Sequence, residues 1–178
     1  MACNTNLNGI ADDCVNVFGG IVQIGVIPKQ YLTSTTISNG ELTGVTFSES
    51  VEDYYFKEGQ ATANQAMEVS FENSTTVFNN SVSVSLKGQN LLKRNELLLL
   101  TKAQQELVVF YKLDTGVCYV IGLTNGEEGE KIGARVTELT GEIGARRADL
   151  NQFDLTFSVE QDKELPLVVD NTLFESLF

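Results

Sequence analysis

Residues 153–160 read FDLTFSVE, apolar and polar side chains alternating without a break. Successive side chains of a strand point to opposite faces. This period of two therefore puts Phe153, Leu155, Phe157 and Val159 on a core and Asp154, Thr156, Ser158 and Glu160 on a wet face. Such alternation marks an antiparallel sheet with one solvated face, because strands of a buried parallel sheet read as continuous apolar runs. The pattern recurs upstream. Val82, Val84 and Leu86 alternate with Ser81, Ser83 and Ser85, and Met67, Val69 and Phe71 alternate with Glu68, Ser70 and Glu72. Val45 and Phe47, and later Ile132, Ala134 and Val136, supply shorter versions, and the aromatic run Tyr54-Tyr55-Phe56 follows the first of these.

Three segments are more apolar. Residues 20–26 (GIVQIGV) form a strand with Val22, Ile24 and Val26 on one face, ended by Pro28. Residues 106–113 (ELVVFYKL) and 117–123 (VCYVIGL) are apolar on both faces and read as central strands joined by the turn Asp114-Thr115-Gly116. Residues 29–41 are Ser/Thr-rich and hold the turn signal Asn39-Gly40. After Gly88 the period changes to helical over residues 90–105 (NLLKRNELLLLTKAQQ), with Asn90 as N-cap. At ~100° per residue, Leu91, Leu92, Leu98, Leu99 and Ala103 share one stripe, and Leu97 and Leu100 fall on nearly the opposite side. The first stripe is read as the face packed on the domain, and Leu97 and Leu100 either as exposed or partly covered leucines or, the reading carried forward, as a contact with a neighbouring subunit.

About nine strands and one helix make a mainly β, β-rich α+β protein: an antiparallel sandwich or barrel with one flanking α-helix. The 178 residues, 42% apolar, suit one domain at 20–164 with arms at 1–19 and 165–178. The second arm ends in apolar Leu173, Phe174, Leu177 and Phe178, which a neighbouring subunit could cover. Residues 1–20 have no basic start and no apolar run, so no signal peptide is expected, and no apolar stretch approaches the ~20 residues of a membrane helix.

The chemistry-bearing residues are few. Histidine is absent, which removes Ser-His and Cys-His pairs and most zinc sites. Cys3, Cys14 and Cys118 are far apart, and Cys118 sits in an apolar run as a small buried hydrophobe. No phosphate-cradling loop motif is present, so no cofactor is expected. Asp114-Thr115-Gly116 resembles the active-site tripeptide of aspartic proteases, but the same three residues suit a hairpin turn, and the turn is the reading taken. Glu127, Glu128 and Glu130 lie in an acidic, Gly-rich loop at 124–130 without the ligand spacing of a calcium loop. Arg146 and Arg147 form a lone basic pair against a formal charge of −12, which argues against gripping nucleic-acid phosphates. The chain is therefore not expected to be an enzyme.

The order of segments is a strand block, a helix at 90–105, the hairpin LVVFYKLDTGVCYVIGL, an acidic loop and the late strand QFDLTFSVE. It resembles the tail-tube (major tail) proteins of bacteriophages and the related tube proteins of contractile injection systems. Residues 147–157 (RADLNQFDLTF) are similar to the closing strand region of many phage tail proteins. The resemblance spans roughly residues 20–160 and carries no signature residues. It implies a virion structural protein that forms a ring, taken as hexameric, in a tube around a DNA-conducting channel. It also implies tail or connector proteins as partners, DNA that passes without specific binding, and no membrane. The place would be the virion tail, and the host cytoplasm during assembly. A head–tail connector or decoration protein, or a monomeric β-domain binding a ligand or peptide, are the alternatives. The subunit contacts expected are Leu97, Leu100, Leu173, Phe174, Leu177 and Phe178.

Overall fold

Among the described residues, sheet A holds seven strands and sheet B four. The computed structural model describes residues 20–38, 40–55, 60–70, 72, 75–101, 105–123, 133–143, 151–161 and 167–178. In chain order the strands are β1 (Ile21–Pro28), β2 (Leu32–Ser38), β3 (Glu41–Phe47), β4 (Glu52–Tyr55), β5 (Ala61–Ser70), β6 (Thr75–Lys87), β7 (Leu107–Leu113), β8 (Cys118–Ile121), β9 (Arg135–Ile143), β10 (Asn151–Gln161) and β11 (Leu167–Val169). The helices are α1 (Leu91–Leu100), between β6 and β7, and α2 (Asn171–Ser176), after β11. Sheet A runs β2-β3-β11-β8-β7-β1-β4 and sheet B runs β5-β6-β10-β9. The two make a sandwich and not a closed barrel.

The period-two strands form sheet B. Val82, Val84, Leu155, Phe157 and Val159 are buried facing sheet A, with Leu155 paired to Val84 and Phe157 to Val82. Opposite them, Ile21, Ile24, Val26, Leu107, Val109, Tyr111 and Ile121 complete the inter-sheet core. Strand β7 is apolar on both faces because sheet A has a core on each side. Its Leu107, Val109 and Tyr111 face sheet B, whereas Val108 and Phe110 join a second core with Ile27, Leu42, Cys118, Val120, Val169 and Phe174.

Three readings change. Residues 32–38 are a strand, β2, paired with β3 in a hairpin around Gly40. Register shifts between Leu32 and Ser34 and between Thr36 and Ile37 break the alternation that would have revealed it. The short strand expected around Ile132, Ala134 and Val136 is longer, β9 running on to Ile143 by pairing with β10. The segment expected as a C-terminal arm belongs to the domain: β11 lies between β3 (parallel) and β8 (antiparallel) inside sheet A. The N-terminal arm, residues 1–19, lies outside the described residues.

Candidate functional site

Helix α1 starts where the sequence says it should. The Asn90 side chain accepts a hydrogen bond from the Lys93 amide at 2.8 Å, satisfying one of the free N–H groups of the first turn. The Lys93 ammonium donates to the carbonyls of Lys87 and Gly88. That tether lies on the same side of the helix as the buried Leu97. Lys93, Leu97 and Leu100 lie on one i, i+4, i+7 row, which is drawn inward. Leu97 is 3% exposed in the inter-sheet core and Leu100 packs against it. Leu91, Leu92, Leu98 and Leu99 face outward, the first two 69% and 74% exposed. The two faces are thus the reverse of the sequence reading, and the subunit contact expected of Leu97 and Leu100 does not fit their burial.

The C-terminal candidates also pack on their own domain. Phe174 is 1% exposed, and Leu173 and Leu177 pack around the same core. The Phe178 ring stands 5.2 Å from that of Phe174. Phe174, Leu173 and Leu177 thus belong to the outer core of sheet A, which does not fit their expected place at a subunit interface, whereas Phe178 stays 44% exposed. Apolar groups at a chain end are costly in water, and here a six-residue helix capped by Asp170 buries Phe174 and half-buries Leu173 within the chain.

Sheet B presents a polar outer face. Ser81, Ser83 and Ser85 of β6 stand opposite Ser158, Thr156 and Asp154 of β10. Ser83 and Thr156 share a hydrogen bond at 3.0 Å, and Asp154 accepts from Ser85 and, at 3.0 Å, from Gln152. Pairing extends this parity to Thr62, Asn64 and Glu68 on β5 and to Glu138, Thr140 and Glu142 on β9. Lys87 and Arg135 are the basic residues of this parity, and Arg135 is paired with Glu106 at 3.2 Å. Strands β5 and β9 are the two edges of this sheet, each paired on one side only among the described residues. On the inward parity of β5, Met67 and Val69 are exposed at 59% and 46%. An edge with free N–H and C=O groups beside exposed apolar side chains is a template for another strand.

An apolar recess lies beneath α1. It measures about 250 Å³ and is lined by side chains from both sheets and the helix, including Ile24, Val26, Val84, Leu86, Leu97, Leu100, Leu155 and Phe157. Its polar lining is Tyr54, Lys93 and Glu96. It opens beside a larger groove that shares Val26, Tyr54, Glu96 and Leu100 and adds Glu49, Ser50 and Glu52. Burial, reinforced by Glu96 and Glu52, pushes the Tyr54 hydroxyl up to about 12. The lining comes from β1, β4, β6, α1 and β10, so no local sequence signal marks it.

The remaining motifs resolve simply. Asp114 is exposed in the β7–β8 turn, its amide donating to the Gly20 carbonyl at 3.0 Å. Gly116 supplies the left-handed residue at φ +88° and donates to the Leu113 carbonyl at 2.9 Å. Cys118 is buried, and burial pushes its thiol up, away from the reactive thiolate form. Among the described residues, no three Cys, Asp or Glu side chains come together to hold a metal ion. No described helix is long and apolar enough to cross a membrane. Cys3, Cys14, the 124–130 loop with Glu127, Glu128 and Glu130, and the pair Arg146-Arg147 lie outside the described residues.

Fold and surfaces together define a two-sheet β-sandwich with one open, polar-faced sheet and one exposed leucine helix. Compared with known proteins, the chain matches no family model, no curated protein and no solved structure.

Proposed function

We propose that this chain is a self-assembling virion structural protein, a ring- or tube-forming phage tail component around a DNA-conducting channel. The observation that carries the reading is sheet B: two edges that are paired on one side only among the described residues, and an outer face mostly of hydroxyls and carboxylates. Joining β5 of one copy to β9 of the next would continue the sheet around a ring. At ~4.8 Å between strands, six copies of four strands give a circumference of about 115 Å and a diameter of about 37 Å before tilt. On such a lumen the described carboxylates outnumber the two cations Lys87 and Arg135, and Arg135 is paired with Glu106, so the grip on passing phosphates is weak. The exposed leucines of α1 supply a second contact between copies. The resemblance of the segment order to tail-tube proteins supports the same reading.

Size-exclusion chromatography with negative-stain microscopy of the purified chain tests it. Rings or tubes are expected. Single-copy particles at all concentrations would reject the reading and favour the alternative, a monomeric β-domain with a ligand, which the recess under α1 recommends.

A further inference from the structure

The recess beneath α1 has the features of a ligand site whether or not the chain assembles. Its floor and walls are aliphatic and aromatic side chains, and its volume is about 250 Å³. An engineered apolar cavity of ~150 Å³ stays dry and takes up benzene, so by proportion this one accepts a body of about ten carbons. Charge selects the head group. Glu96 lines both the recess and the adjoining groove, and Glu49 and Glu52 line the groove. Lys93 is the basic side chain of the lining, and its ammonium is held by the carbonyls of Lys87 and Gly88. Among the described lining residues of the groove there is no Lys or Arg. Within the recess Lys93 and Glu96 balance, and the acidic excess of the described lining lies on the groove side at Glu49, Glu52 and Glu96, where a cation is favoured over an anion.

We propose that this recess binds a small organic amine, its aliphatic or aromatic body between α1 and the two sheets and its ammonium at the mouth beside Glu96. The carboxylate of Glu96, on the exposed flank of α1, accepts from the ammonium, and Tyr54 supplies a neutral hydroxyl to the same end. The bound body fills the space that Leu97 and Leu100 leave beneath the helix.

Titration calorimetry of the full chain with octylamine, 1-octanol and octanoate at neutral pH tests this. Octylamine is expected to bind one to one, about fivefold tighter than octanol, the size of a partly exposed ion pair. Octanoate is expected to bind more weakly than octanol. Glu96→Gln should bring octylamine to the affinity of octanol and leave octanol unchanged. Leu100→Trp, which fills the recess, should abolish binding of both, and Leu86→Phe serves the same purpose if that variant does not fold. Absence of saturable binding, octanoate or octanol binding as tightly as octylamine, or undiminished affinity in a folded recess-filling variant would each overturn the proposal.

Discussion

The ring of Phe178 lies directly over Gly25: a Cβ added to Gly25 would meet its Cζ at 2.5 Å and its Cε1 at 2.8 Å. The last residue of the chain thus rests on its first described strand, beside Phe174, which is buried in the outer core of sheet A. Gly25→Ala should displace that ring and cost about 1–3 kcal/mol, as overpacking does. In a Phe178→Ala background the same change should cost less, the remainder reflecting Val51, whose Cγ1 would lie 2.9 Å from the new methyl. Urea unfolding of the four species measures the coupling. Strict additivity would mean that Phe178 does not seat on Gly25.

The two faces of α1 should separate stability from assembly. Leu97→Ala removes a buried side chain and should cost about 2–5 kcal/mol in urea unfolding. Leu91→Ser with Leu92→Ser changes exposed positions and should stay within about 0.5 kcal/mol per site. The same pair should lower the sedimentation coefficient of any assembly, because it removes apolar surface that a neighbour would cover. If the double variant assembled normally, the outer leucines would not be the contact.

How far the sequence shows this architecture depends on how local each signal is. Strands β6 and β10 are legible because unbroken alternation and a single solvated face leave one possible orientation for Val82, Val84, Leu155 and Phe157. The both-faces apolar character of β7 points to a central strand, and Val108 and Phe110 do face a second core. Strand β11 is three residues long and has meaning only through β3 and β8, so nothing in its own sequence announces it. The rotation of α1 is misleading in the sequence because two leucine stripes compete. The stripe that meets the inter-sheet core is the one with Leu97 and Leu100, and the Lys93 bonds to residues 87 and 88 lie on the same side. The recess is hidden for the same reason as β11: its lining comes from five separate elements.

Acid should loosen α2 first. The Asp170 carboxylate accepts hydrogen bonds from the Thr172 side chain and from the amides of Thr172 and Leu173. Its pKa is held below the ordinary 3.8, first by the Thr172 hydroxyl and then by the Leu173 amide. A folded-state pKa below the unfolded one gives stability that is present above pH ~4 and lost as pH falls through the folded value. Hydrogen exchange at Thr172 and Leu173 should therefore quicken, relative to the intrinsic rate, below about pH 4. Asp170→Asn, which keeps an acceptor but no titrating group, should flatten that dependence. An unchanged pH profile in the Asn variant would assign the effect elsewhere.

Alkali tests the environment at the recess. Tyr54 is held neutral up to about 12 by burial, then by Glu96 and Glu52. Its folded pKa lies above its unfolded one, so the associated stability is present below pH ~10 and is lost as pH rises from there toward 12. In an ultraviolet phenolate titration, Tyr54→Phe should remove part of the late-ionising absorbance, and Glu96→Gln should move that part to lower pH. No movement in Glu96→Gln would place Glu96 away from the Tyr54 hydroxyl.

The outer face of sheet B decides whether DNA could slide past an assembled ring. Its central positions, Ser83 and Thr156, bond to each other across β6 and β10, and carboxylates of Asp154, Glu138 and Glu142 surround them by strand pairing. A lumen of this composition repels a polyanion at short range, within the Debye length of ~8 Å at physiological salt. Replacing Ser83 and Thr156 by Lys would add two cations per copy at surface positions where long side chains reach solvent. Each phosphate neutralised steepens the fall of affinity with salt by a slope of about 0.9. Assembled wild-type protein should therefore show no salt-sensitive retention of duplex DNA. The double Lys variant should retain it at low salt and release it as salt rises. Tight, salt-sensitive binding by the wild type, or a variant ring that ignores DNA, would show that this face does not line a conduit.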